Sequence, residues 1–127
     1  MNNNKIMLTY GFHPGEILLL NKLVDAKKIP KIKIISSEMS KMKISDILEG
    51  YKFEIYNGNL PKERLVIFNN LNDIEINDAI KCLKEIGKGI IMAVVTPTSI
   101  EWTFEYLLEH LIEERQWYKN NNPTKQS

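Results

Sequence analysis

Four short apolar runs constrain this chain more than any other feature: Ile6-Met7-Leu8-Thr9-Tyr10, Ile32-Lys33-Ile34-Ile35, Leu65-Val66-Ile67-Phe68, and residues 90–95. Each has the length of a strand, and each leads through polar or Gly/Pro punctuation into a segment with helical spacing of apolar residues. Strands are expected over 5–10, 31–35, 64–69 and 90–95. Helices are expected over 16–27, from 41 or 42 to 48, over 74–86, and from 98 or 99 to about 118. The order βαβαβαβα predicts a parallel α/β sheet with helices on both faces. Right-handed crossovers make 2-1-3-4 the simplest strand order. The expectation is a single three-layer α/β domain over 1–119, with a four-stranded, mainly parallel sheet, a long C-terminal helix and a fraying polar tail over 120–127. A ferredoxin-like α+β sheet is the competing topology, because a doubled βαβ unit leads there as well.

The strands differ in pattern. The first, third and fourth are nearly continuous apolar, as expected for strands covered on both faces. In the second, lysines alternate with isoleucines, which predicts an edge strand with its lysines turned outward. Residues 52–56 read either as a short extra strand before the Asn57-Gly58 turn or as loop. The segment from Tyr10 to Ile17 superposes on the segment from Asn69 to Ile76 at a shift of 59 residues, and each sits between an apolar strand and a helix. Two βαβ units are the plain reading.

Composition narrows the classes of function. The chain has 127 residues, 43% hydrophobic and 26% charged, with a formal net charge of +1. That balance is ordinary for a globular domain and offers no electrostatic footprint for nucleic acid. Basic clusters at Lys27-Lys28-Ile29-Pro30-Lys31 and Lys41-Met42-Lys43 read as solvated surface. No apolar run approaches the roughly 20 residues that span a bilayer. No signal-peptide core follows Met1, so the expected compartment is the cytoplasm, with neither membrane nor nucleic acid as a partner.

Chemistry is tested by elimination. Gly11 and Gly15 do not make a phosphate loop, which needs further glycines or a following Lys-Ser/Thr. A phosphorylated receiver domain needs carboxylates after the first and third strands, where this chain has Tyr10-Gly11 and Asn69-Asn70. His13 and His110 are far apart and lack metal-ligand spacing, so neither a metal nor a cofactor is expected. Cys82 falls with Ala79 and Ile86 on the buried side of its helix and reads as a structural thiol. His13 is the one group near the expected crevice suited to acid–base work.

In a parallel 2-1-3-4 sheet the ligand crevice lies outside the C-terminal ends of strands 1, 3 and 4. That places His13, Asn69, Asn70, Thr96 and Thr98 around a candidate site. Thr98-Ser99-Ile100-Glu101 fits a capping box for the last helix. Glu101, Glu105, Glu109 and Glu113 recur as an acidic stripe along it, while Ile100, Phe104, Leu107, Leu108, Leu111 and Ile112 form its apolar face. Trp102 stands partly off that face and is the sixth candidate residue. Trp117 and Tyr118, near the helix end, suit self-association or a protein partner.

The stretch Val94-Val95-Thr96-Pro97-Thr98-Ser99-Ile100-Glu101-Trp102-Thr103, followed by Leu107 to Arg115 with Glu113-Glu114, is similar to the C-terminal signature of a family of small bacterial proteins known only as a domain of unknown function. The signature is an apolar strand, Thr-Pro-Thr-Asn, a Trp a few residues on, and an acidic helix ending in Glu-Glu. Ser99 replaces the usual Asn, which keeps a capping residue and removes an amide. The resemblance implies a stand-alone cytoplasmic bacterial domain and carries no activity. Two functions fit these readings. The first is a non-enzymatic interaction or regulatory module. The second is a small-molecule-binding protein, or a cryptic enzyme, using the strand-end crevice.

Overall fold

A computed structural model describes residues 4–51 and 59–121. The expected extra strand at 52–56 lies outside these residues. The elements are β1 (Ile6–Tyr10), α1 (Pro14–Lys27), β2 (Ile32–Ile35), α2 (Ile44–Glu49), β3 (Leu65–Asn69), α3 (Asp73–Ile86), β4 (Ile91–Val94) and α4 (Phe104–Asn121), with 3-10 turns at Ser37–Met39 and Ser99–Glu101.

Four strands form one sheet in the expected order β2-β1-β3-β4. β1 runs parallel to β2, and β3 to β4, but β1 and β3 are antiparallel, with Leu8 opposite Ile67. The sheet is therefore mixed. The helices between the strands differ in length. A parallel crossover must carry the chain back along the sheet, which the 14-residue helices α1 and α3 do, each rising roughly 21 Å. The six-residue α2 rises only about 9 Å, less than the roughly 16 Å of a five-residue strand. The chain enters β3 at the end of the sheet where β2 leaves it, since Ile35 and Leu65 both pair with Tyr10. The ferredoxin-like alternative is not adopted, because the two strands of each βαβ unit pair directly and leave no gap for a third.

Alternate strand residues feed two hydrophobic clusters, as the two-residue period of a strand requires. Met7, Val66 and Phe68 pack with Leu20 and Val24 of α1 and with Ala79, Cys82 and Leu83 of α3. Leu8, Leu65 and Ile67 pack with Ile44 and Ile47 of α2 and with Phe104 and Leu108 of α4. All six of these strand residues are at most 2% exposed, so the central strands contribute to both clusters.

β2 departs from expectation in one respect. It is an edge strand, but Lys33 is not turned to water. Its Nζ donates to the Ile47 carbonyl at 2.8 Å, near the C-terminal end of α2, while Ile34 is 55% exposed.

The weak sequence repeat is a strict structural one. β1 and β3, α1 and α3, and β2 and β4 begin and end at the same offset of 59 residues, Ile6 corresponding to Leu65. Leu8 and Ile67, paired across the sheet, are equivalent positions, which sets a local twofold relation between the halves. A second contact obeys the same relation one residue out of step. Ile44 N–H donates to the Trp102 carbonyl (2.9 Å) and Phe104 N–H to the Met42 carbonyl (2.8 Å).

That contact changes the start of the last helix. Lys43 and Thr103 form an antiparallel bridge, which holds Trp102 extended (φ −79°, ψ 151°) and confines the preceding turn to Ser99–Glu101. α4 therefore starts at Phe104, not at 98 or 99, and Thr103 Oγ1 accepts the Tyr106 N–H (3.2 Å). Glu101 closes no capping box and lies 3.6 Å from Lys43. Lys41 likewise meets Glu105 at 2.6 Å, so the second basic cluster neutralises the beginning of the acidic stripe.

Candidate functional site

The antiparallel centre decides which loops meet. Tyr10, at the C-terminal end of β1, lies opposite Leu65, and Ile6 lies opposite Asn69. The C-terminal ends of β1 and β3 are thus at opposite ends of the sheet, and the crevice expected at strands 1, 3 and 4 is not assembled. His13 stands at one end. Asn69, Asn70, Thr96 and Thr98 stand at the other. Trp102 closes the turn that follows Thr96 and Thr98, its N–H donating to the Ser99 carbonyl at 3.0 Å, and its ring packs edge-on against Tyr106 (4.8 Å) and His110 (5.1 Å) on α4.

The predicted residues have structural work to do. His13 caps α1 in extended conformation (φ −82°, ψ 166°), and its N–H donates to Glu16 Oε1 at 3.1 Å. Its ring is largely in water, 3.7 Å from the same carboxylate. Asn69 is buried, and its Nδ2 donates to the Asn4 carbonyl at 2.7 Å, tying the start of β1 to the end of β3. Asn70 takes a left-handed conformation (φ 60°), as the equivalent Gly11 does (φ 86°). Thr96 and Ser99 are reciprocal partners: Ser99 N–H donates to Thr96 Oγ1 and Thr96 N–H to Ser99 Oγ, both at 2.9 Å. The cap within the Thr-Pro-Thr-Ser motif is Thr96, while Thr98 is exposed and makes no side-chain cap.

The end of the sheet that holds the C-termini of β1 and β2 carries a cleft of about 690 Å³. Its apolar wall includes Tyr10, Phe12 and Ile34, and its polar groups include Ser36, Ser37, Lys62, Arg64 and Lys88. A strand-end cleft of this size lies within the range of small-molecule sites. Two features fix its shape. Gly11 has φ 86° and lies so close to the Glu63 carbonyl that any Cβ would collide with it. Tyr10 donates its hydroxyl to the Pro61 carbonyl at 3.0 Å, and burial pushes that phenol above its ordinary pKa, so it remains a neutral donor.

The charges of the cleft are unequally engaged. Arg64 donates to Glu16 Oε2 at 2.6 Å and to the Lys88 carbonyl. Glu63 is paired with Arg115 at 2.7 Å. Lys62 and Lys88 have no ion-pair partner among the described residues, and both are exposed. None of these residues forms a recognisable motif. The one signal in the sequence was the repeat itself, since comparing the halves exposes what differs between them.

A second surface lies on α4. Trp102, Tyr106 and His110 form a ladder of rings along the helix, with Tyr106 and His110 stacked at an interplanar angle of 20°. Among the described residues beyond Ile112 only Arg115 is partly covered, and Trp117 and Tyr118 stand 60% and 57% exposed, edge to face with one another.

Residues 64–118 match the model of a domain of unknown function (DUF3783). The match begins at the threshold of β3 and runs through most of α4, so it covers the second half of the repeat with its helix, less than half of the chain. No curated protein and no solved structure matches the chain. Among the described residues, no group of three or more His, Cys, Asp or Glu side chains is placed to hold a metal ion, and no helix is long and apolar enough to cross a membrane.

Proposed function

We propose that this domain is a non-enzymatic interaction module that pairs with a second copy of itself through the C-terminal half of α4. The observation that carries the reading is the exposed pair Trp117 and Tyr118 on the last turns of α4. Two large aromatic rings in water are the kind of group that anchors interfaces. The same turns carry both signs of charge, with Glu109, Glu113 and Glu114 ahead of Lys119. An antiparallel pairing centred on Glu114 sets Glu109 opposite Lys119 and His110 opposite Tyr118. That arrangement is isologous and closed, as a twofold dimer requires. The matched domain contributes no activity, and the reading rests on the surface alone.

Light scattering coupled to size exclusion tests it across the micromolar range. The expected result is a dimer that becomes a monomer in Trp117→Ser/Tyr118→Ser, with an unchanged circular dichroism spectrum. A monomeric wild-type chain at every concentration overturns the reading.

A further inference from the structure

The two halves of the repeat share a backbone but not their polar groups, and the difference is concentrated at the cleft. At the offset of 59 residues, Lys88 corresponds to Ile29, which is buried, and Gly89 to Pro30. Ser36 and Ser37 correspond to Val95 and Thr96, the first buried and the second bonded to Ser99. At one end of the sheet these positions are closed by apolar packing and internal hydrogen bonds. At the other the same positions carry an ammonium group and two hydroxyls around a cleft of about 690 Å³. Lys62 adds a second ammonium group without a partner among the described residues. Arg64 is held in place by Glu16, and Glu63 is neutralised by Arg115, so the local balance is positive. Gly89 has φ 78° and open space around it, which leaves backbone accessible at the mouth.

We propose that this cleft binds a small organic anion, its phosphate or carboxylate head held by Lys62 and Lys88 and its apolar body laid against Tyr10, Phe12 and Ile34. Two ammonium groups and adjacent hydroxyls suit an anionic head. A half-apolar wall of this kind suits an aromatic or aliphatic body. None of the lining residues belongs to α4, which meets the cleft only through the pairing of Arg115 with Glu63 among the described residues.

The test is a titration of the ¹⁵N-labelled full chain, followed by amide shifts at constant pH and ionic strength, with phenyl phosphate, benzoate and inorganic phosphate as probes. Saturable shifts are expected at Gly11, Phe12, Ser36, Ser37, Lys88 and Gly89. The better aryl probe should bind roughly fivefold more tightly than inorganic phosphate, because a partly buried ring adds apolar contact. Phenyl phosphate ahead of benzoate identifies a phosphate ester as the ligand class, and the reverse order a carboxylate. Lys62→Ala/Lys88→Ala should weaken the better probe roughly tenfold. Lys62→Arg/Lys88→Arg should retain binding, and Lys28→Ala/Lys84→Ala should leave it unchanged. Shifts that do not saturate for either aryl probe, that scatter over the surface lysines, or that persist in Lys62→Ala/Lys88→Ala overturn the proposal.

Discussion

Arg64 and Glu16 meet at 2.6 Å across the end of the sheet, and the relation is repeated by their equivalents in the other half, where Lys5 meets Glu75 at 2.8 Å. In each case the cation just ahead of one half's first strand binds the carboxylate in the first turn of the other half's first helix. Each carboxylate also accepts a backbone N–H, from His13 or from Asn72, so one residue caps its own helix and ties it to the opposite half. The side chains of the Arg64–Glu16 pair are 26% and 16% exposed, against 48% and 22% for Lys5–Glu75. Glu16→Gln keeps the capping geometry and removes the charge, and should cost about 1–2 kcal/mol. Glu75→Gln should cost less than about 1 kcal/mol. Urea unfolding of both variants checks the order.

The same geometry sets an acid dependence. The Lys5 hydrogen bond, and after it the Asn72 N–H, hold the Glu75 carboxyl below its ordinary pKa. A carboxyl lowered by folding stabilises fully above its unfolded value and loses that contribution as pH falls through the folded one. Stability of the wild type should therefore decline on acidification through and below the usual glutamate range. The decline should be shallower in Glu75→Gln, read as the urea midpoint against pH.

Gly11 and Gly89 both have positive φ, but only Gly11 is also crowded. Gly11→Ala adds a collision with the Glu63 carbonyl to backbone strain and should cost about 2–4 kcal/mol. Gly89→Ala meets open space and should cost about 1 kcal/mol from its dihedral alone. Thermal and urea unfolding distinguish the two.

Thr96 and Thr98 separate a capping role from a conspicuous sequence. Thr96→Val removes the oxygen that accepts the Ser99 N–H and should destabilise by about 1 kcal/mol. Thr98→Val, at an exposed position with no cap bond, should fall within about 0.5 kcal/mol of wild type. Equal effects in urea unfolding would contradict this division.

Much of the fold was legible in the residues. The apolar runs located the four strands of the sheet, and of the residues expected on the buried side of α3, Ala79 and Cys82 are buried while Ile86 is partly covered. The lysine-bearing second strand is on the edge of the sheet. The start of α4 was not legible. Thr98-Ser99-Ile100-Glu101 satisfies the local grammar of a cap, but the bridge between Lys43 and Thr103 overrides it from a distant part of the chain. The candidate site suffered more. Asn69, Asn70, Thr96 and Thr98 do share one end of the sheet, while His13 was placed beside them only because β1 was assumed to run parallel to β3.

The sequence by itself determined where the strands and helices lie and the two-unit repeat, because periodicity is a property of neighbouring residues; it did not determine every face, since β4, expected to be covered on both faces, leaves Val94 52% exposed. Tertiary structure alone decided the direction of β3 against β1. Hydrophobic pattern does not carry that information, since a strand buries the same two faces whichever way it runs. The chain enters β3 at the end of the sheet where β2 leaves it, which sets the two halves antiparallel. That arrangement brought Lys62, Lys88 and the serines after β2 to one cleft, while Asn69 and Thr96 were drawn into internal hydrogen bonds at the opposite end.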